Sequence, residues 1–141
     1  MHFIVGGAFQ GKRKWVYEYY RLTEINSYRW CSGYEQEAFW PSEATERIVI
    51  FEGMEVFIRR LPDNKHWSAF FQAWHEWEQQ MDGRKVIWIG CDITQGIVPM
   101  EKEERNWRDV TGWCYQQLVK RCDRVDRIWC GLAEQIKGRE K

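Results

Sequence analysis

Proline occurs only three times (Pro41, Pro62, Pro99). No stretch rich in Pro, Gly or Ser separates one part of the chain from another, so residues 1–141 are expected to form a single domain. Neither sign of charge predominates: 21 basic and 21 acidic side chains cancel, which argues against the basic face of a dedicated nucleic-acid groove. No apolar run approaches the roughly 18 residues of a membrane span. The opening Met1-His2-Phe3-Ile4-Val5-Gly6 turns polar by Gln10-Gly11-Lys12, so no secretory segment is read there. The five cysteines are odd in number and contain no C-x-x-C pair. Cys114, Cys122 and Cys130 follow one another at a spacing that suits no metal template. Free, mostly buried thiols in a cytoplasmic protein are the expectation, with neither nucleic acid nor membrane as partner.

What the chain does have is aromatic: 10 Trp, 6 Tyr and 7 Phe among 141 residues. A domain of this size buries roughly 68–70% of its unfolded surface, and the aromatics are expected to fill that core. Charged residues at 30% and apolar residues at 44% exclude disorder.

Short apolar runs alternate with longer amphipathic stretches. Phe3-Ile4-Val5 reads as a strand, Lys12 to about Thr23 as a helix, and Tyr28 to Cys31 as a weaker second strand. Ile48-Val49-Ile50-Phe51, Val86-Ile87-Trp88-Ile89 and Ile128-Trp129-Cys130 read as strands buried on both faces. Trp67, Phe70, Phe71, Trp74 and Met81 share one helical face, and Trp107, Val110, Cys114 and Leu118 another. Glu101, Glu103 and Glu104 open this last helix and Lys120 and Arg121 close it, complementing its dipole. This order predicts an α/β fold of three layers, with a mainly parallel sheet between helices. Ligands of such sheets bind at the carboxyl ends of the strands.

Gly6-Gly7-Ala8-Phe9-Gln10-Gly11-Lys12 fits G-x-x-x-x-G-K between a strand and a helix. Glycines let backbone N–H groups curl around phosphate oxygens, the helix N-terminus adds positive potential, and Lys12 reaches the outer phosphates. The next position should be Ser or Thr, whose hydroxyl holds Mg²⁺, but it is Arg13. The motif thus predicts a purine nucleotide, ATP or GTP, with a weakened Mg²⁺ site. Two acids end buried strands nearby: Glu52 after Phe51, and Asp92 after Gly90-Cys91. Either can hold Mg²⁺, directly or through water, or orient an attacking hydroxyl. Arg13 and Lys14 either add charge near the phosphates or are solvated residues of a first helical turn.

Gly90-Cys91-Asp92-Ile93-Thr94-Gln95-Gly96-Ile97-Val98-Pro99, followed by Arg105-Asn106-Trp107-Arg108-Asp109-Val110, resembles the adenosylcobinamide kinase / adenosylcobinamide-phosphate guanylyltransferase family. Gly6-Gly7-Ala8 resembles its P-loop opening. Gly96 to Pro99 match the family's G-I-V-P, and Arg108-Asp109 its Arg-Asp. Asp92 stands at its Glu, Glu52 at its Walker B aspartate, and Val125 to Leu132 at its final strand and Gly turn. The resemblance implies phosphorylation of the aminopropanol hydroxyl of adenosylcobinamide by ATP or GTP, with Lys12, Glu52 and Asp92 carrying the step. It also implies GMP transfer through a guanylylated histidine, and a homo-oligomer, often a trimer. The histidine is missing: His2, His66 and His75 all lie outside the stretch between Arg13 and Ile50. Ser32 to Arg47 is too short for the helix and strand that carry it in the family. The guanylyltransferase half is therefore expected to be absent or rewired. His66 and His75 point about half a helical turn apart and cannot act as a pair. Trp67, Trp74 and Trp77 suit a core, or less readily a stacking wall for a corrin ring or base. The alternative to an enzyme is a degenerate nucleotide-binding sensor or subunit.

Overall fold

The computed structural model describes residues 1–8, 10–25, 27–93 and 101–138. Phe9 and the Gly96 to Pro99 segment lie outside the described residues. Six strands form one sheet: β1 (His2–Gly6), β2 (Tyr28–Ser32), β3 (Ile48–Glu52), β4 (Lys85–Cys91), β5 (Arg124–Trp129) and β6 (Leu132–Lys137). The spatial order is β2-β3-β4-β1-β5-β6. Every pairing is parallel except the β5–β6 hairpin. Parallel neighbours need crossover connections; α1 (Lys12–Tyr19), α2 (Met54–Arg60), α3 (Asn64–Gln79) and α4 (Lys102–Arg121) supply them, except between β2 and β3, where the link has only a 3-10 turn at Pro41–Glu43. The mainly parallel, three-layer α/β expectation holds.

Strand alternation divides the core. Ile4, Ile50, Ile87, Ile89 and Ile128 pack beneath Val16 of α1 and Leu22. Phe3, Phe51, Val86, Trp88 and Val125 face the other way, onto the inner stripes of α2, α3 and α4. Trp67, Trp74 and Trp77 are buried there, so the core reading of that cluster stands. Each large aromatic removes roughly 150–250 Å² from water. The indole N–H groups are not left orphaned: Trp74 donates to the Phe39 carbonyl at 3.2 Å and Trp67 to the Leu61 carbonyl at 2.7 Å.

Several boundaries differ from the sequence reading. The helix that starts at Lys12 ends at Tyr19, because Arg21 turns left-handed (φ 51°) and leads into a 3-10 turn at Leu22–Glu24. Met81 lies past the end of α3 and is 52% exposed, outside the apolar stripe. The third apolar run is not a doubly buried strand. β5 begins at Arg124, its Trp129 is 64% exposed, and Cys130 belongs to the turn at φ 49°. With only the hairpin strand β6 beyond it, the end of β5 has no helix to cover it.

A buried polar chain ties β1 to β5 and α1. His2 Nε2 donates to Asp126 Oδ2 at 2.6 Å, and the Tyr20 hydroxyl donates to His2 Nδ1. Arg124 Nε donates to the same Asp126 oxygen at 2.7 Å. Burial pushes the imidazole below its usual 6.5, against the pull of Asp126. Burial also raises the Asp126 carboxyl, but the hydrogen bonds from His2 and Arg124 leave it below the usual 3.8. Both shifts act in one direction. Below pH 6.5 the unfolded chain protonates histidine while folded His2 stays neutral, so stability falls as pH falls. Denaturant melts across the acid-to-neutral range are expected to show a plateau above 6.5 and a decline beneath it. A stability maximum on the acid side would contradict this assignment.

Candidate functional site

The loop after β1, the start of α1 and the ends of β2, β3 and β4 meet at the carboxyl edge of the sheet. They line a cleft of about 990 Å³ that includes Gly11, Lys12, Arg13, Tyr34, Glu52 and Glu55, within the size range of cofactor sites. Two glycines of the loop have steric reasons to be glycine. A Cβ on Gly6 would lie 2.4 Å from the Ile128 carbonyl oxygen of the neighbouring strand. Gly11 takes φ +88° as the N-cap of α1 and sits against Gly131. Gln10 fastens the loop: its carbonyl accepts from Gly131 N at 2.8 Å and its side-chain oxygen from Cys130 N at 2.6 Å. The β5–β6 turn thus holds the loop from the side.

Lys12 Nζ donates to the carbonyls of Gly7 at 2.7 Å and Gly6 at 3.3 Å, folded back over its own loop. Lys12, Arg13 and Lys14 open α1 with no acidic residue in its first turn. Three cations at the positive end of a helix oppose its dipole, and the first-turn N–H groups of a helix have no intrahelical acceptor. An anion at this end of α1 would relieve both.

Arg13 reaches across the cleft. Its Nη2 and Nε donate to the two carboxylate oxygens of Glu52 at 2.6 and 3.0 Å, a bidentate fork. Those bonds raise the guanidinium further above its ordinary range. Trp30 on β2 completes the arrangement: its Nε1 donates to Glu52 Oε1 at 3.1 Å, and its ring lies 5.2 Å beneath the Arg13 guanidinium carbon. Tyr17 stacks on the same indole at 4.8 Å.

Glu55, in the first turn of α2, is buried and fully used. One oxygen accepts from the Cys91 amide at 2.9 Å and the other from the Tyr34 hydroxyl at 2.6 Å. Burial and that hydrogen bond raise the Tyr34 phenol, so it stays a donor. Burial also raises the Cys91 thiol against the pull of Lys12, which keeps it from acting as a thiolate.

The two acids singled out in the sequence are not brought to one point. Glu52 lines the cleft. Asp92 borders a separate hollow of about 320 Å³ with Gly6, Gly7, Gln10, Arg127 and Trp129, its amide held by the Gly6 carbonyl at 2.8 Å. Among the described residues no group of three His, Cys, Asp or Glu side chains is placed to hold a metal ion. The donor set does not suit Mg²⁺: a guanidinium stands where the hydroxyl ligand is needed, and the nearest carboxylate is already engaged by Arg13 and Trp30.

Trp30, Tyr34 and Glu55 were not found from sequence. Glu55 left a trace, a second carboxylate three residues after Glu52. Trp30 becomes visible only with the register, which pairs Ser32 with Glu52 and so places Trp30 on the same face as that carboxylate. His66 and His75 lie on α3, away from the cleft lining, and His2 is buried in β1. Among the described residues no helix is long and apolar enough to cross a membrane.

The sequence model of a family described as cobinamide kinase / cobinamide phosphate guanyltransferase matches residues 32–136. The matched span takes in Glu52 and Asp92 and starts after the loop Gly6 to Lys12. The Bifunctional adenosylcobalamin biosynthesis protein CobP of Pseudomonas aeruginosa is 32% identical over 59 residues, which are 42% of this chain and 34% of that protein. The match therefore spans about a third of that relative's length.

Proposed function

This chain belongs to the cobinamide kinase / cobinamide phosphate guanyltransferase family, and from that premise we propose that it is a nucleotide-dependent transferase of the kinase type. It moves the terminal phosphoryl group of ATP or GTP onto a corrinoid hydroxyl, that of the aminopropanol arm of adenosylcobinamide. The observation that carries this reading is the loop Gly6 to Lys12, braced by the β5–β6 turn and opening into the cleft beside three consecutive cations.

Phosphoryl transfer asks a protein mainly for positioning and charge neutralisation. The loop amides and the start of α1 hold the β- and γ-phosphates. Lys12 leaves the Gly6 and Gly7 carbonyls and takes the charge that grows on the oxygens between them. The acceptor hydroxyl attacks the γ-phosphorus, a new P–O bond forms, and the bond to the bridging oxygen breaks to release the nucleoside diphosphate. The hydroxyl proton passes to Asp92, which borders the loop, while Glu52 acts through the Arg13 guanidinium it anchors. Catalysis rests on Lys12, Glu52 and Asp92. Gly6, Gly7, Ala8, Phe9, Gln10, Gly11 and Arg13 complete the nucleotide contacts.

The guanylyltransferase step is lost in this reading. It needs a histidine nucleophile at the cleft, and the segment between β2 and β3 carries only a short 3-10 turn at Pro41–Glu43 and no histidine. By family resemblance the protein acts as a homo-oligomer, a trimer, and its free cysteines suit the cytoplasm.

A second reading, a nucleotide-binding sensor or subunit without turnover, is favoured by the Arg13–Glu52 pair, which occupies two positions a metal-dependent kinase would use. Incubation with adenosylcobinamide and ATP or GTP separates them. Phosphorylated corrinoid, with no GMP-linked product, is the expected outcome. Tight nucleotide binding without product would establish the sensor instead.

A further inference from the structure

We propose that Arg13 stands in for the divalent cation, so that this protein binds its nucleoside triphosphate free of metal. The proposal rests on the reading that the loop Gly6 to Lys12 holds a triphosphate. In a P-loop with the usual Ser or Thr, the hydroxyl after the lysine and an acid on a neighbouring strand hold Mg²⁺ between them. Here those two positions are occupied by Arg13 and Glu52, and they are joined directly by the bidentate bond. The positive charge lies between them as a covalently attached guanidinium.

The fork has donors to spare. A guanidinium carries five N–H groups, and the two bonds to Glu52 use two of them. The remaining three serve phosphate oxygens while Glu52 and the Trp30 ring fix the plane of the group. Planar, bidentate recognition of phosphate is what arginine does better than lysine. Glu52 is then the anchor of a cation that belongs to the chain, not a ligand of one recruited from solution. The geometry also explains how Lys12, Arg13 and Lys14 coexist at the positive end of α1: Glu52 offsets one charge, and the bound triphosphate offsets the others.

Calorimetric titration of ATP and GTP, each in Mg²⁺ and in EDTA, tests this on the whole chain and its variants. The wild-type affinity should change by no more than about threefold between the two conditions, less than one tenfold step of 1.4 kcal/mol. Arg13→Ser should bind at least about tenfold more weakly in EDTA, the effect of losing hydrogen bonds to a charged group, and should recover on adding Mg²⁺. The double variant Arg13→Ser/Glu52→Gln decides how Arg13 acts. Continued weak binding in EDTA supports direct phosphate contact, whereas full recovery means that Arg13 only silences Glu52 and overturns the proposal. Wild-type binding tightened tenfold or more by Mg²⁺ overturns it as well, while leaving the nucleotide site intact. Wild-type protein that binds neither nucleotide in either condition removes the parent reading and this inference with it. Thermal melts of each variant confirm that Arg13, a surface residue, is not being read through unfolding.

Discussion

Lys12→Ala is expected to lower kcat/KM for phosphoryl transfer by about 10²–10³-fold, the scale on which removing one preorganised charge-stabilising donor acts. The ammonium now rests on the Gly6 and Gly7 carbonyls, within the loop proposed to receive the phosphates. Alanine removes a positive charge from the point where the transferred group becomes most negative and leaves those carbonyls to water. Because the site is part-exposed, stability should change by less than about 0.5 kcal/mol. Steady-state kinetics and a thermal melt on the same preparation check both halves. A fall in melting temperature that tracked the lost activity would make Lys12 a pin of the loop and not a participant in transfer.

The second large effect is on stability. Asp126 is fully buried and receives hydrogen bonds from His2 and Arg124. Asp126→Ala strands both partners and opens a void, so it is expected to cost about 3–5 kcal/mol, lowering the melting temperature by about 10 °C or more. Asp126→Asn keeps the shape and an acceptor for the imidazole N–H but loses the charge facing Arg124, and should fall between alanine and wild type. Nucleotide affinity of the folded fraction should survive in both, since the network lies at the start of β1 and the loop at its end. A variant as stable as wild type would show that the three groups do not act as a unit.

How much was legible in the sequence followed from how local each signal is. β1, β3 and β4 announce themselves as short apolar runs, because strands covered on both faces have few polar positions, whereas β2, at the sheet's edge with Arg29 within it, gives a weaker signal. β5 does not: its Asp126 is polar and buried, and its Trp129 is apolar and exposed, so both residues mislead a reader of hydropathy. β6 alternates weakly, with Leu132 and Ile136 exposed beside Glu134, and gives no core-facing pattern. α2 has only seven residues, too few for a periodicity to emerge between Gly53 and Pro62. At the site, the loop and Lys12 were readable because the motif is contiguous. Arg13 was seen as the loss of a metal ligand, but its bond to Glu52 spans 39 positions. Trp30, Tyr34 and Glu55 join the cleft only through strand register and helix placement.

The grip of Gln10 on Cys130 and Gly131 reaches beyond the loop itself. A phosphate-receiving backbone that is free to wander must surrender conformational freedom when its ligand arrives, at roughly 1–2 kcal/mol per residue fixed. Here the antiparallel ribbon at the sheet's margin imposes that order while the polypeptide folds. On the proposed reading the ribbon is a scaffold for affinity as well as an edge of the sheet, and changes at Cys130 or Gly131 are expected to weaken nucleotide binding without touching the ligand.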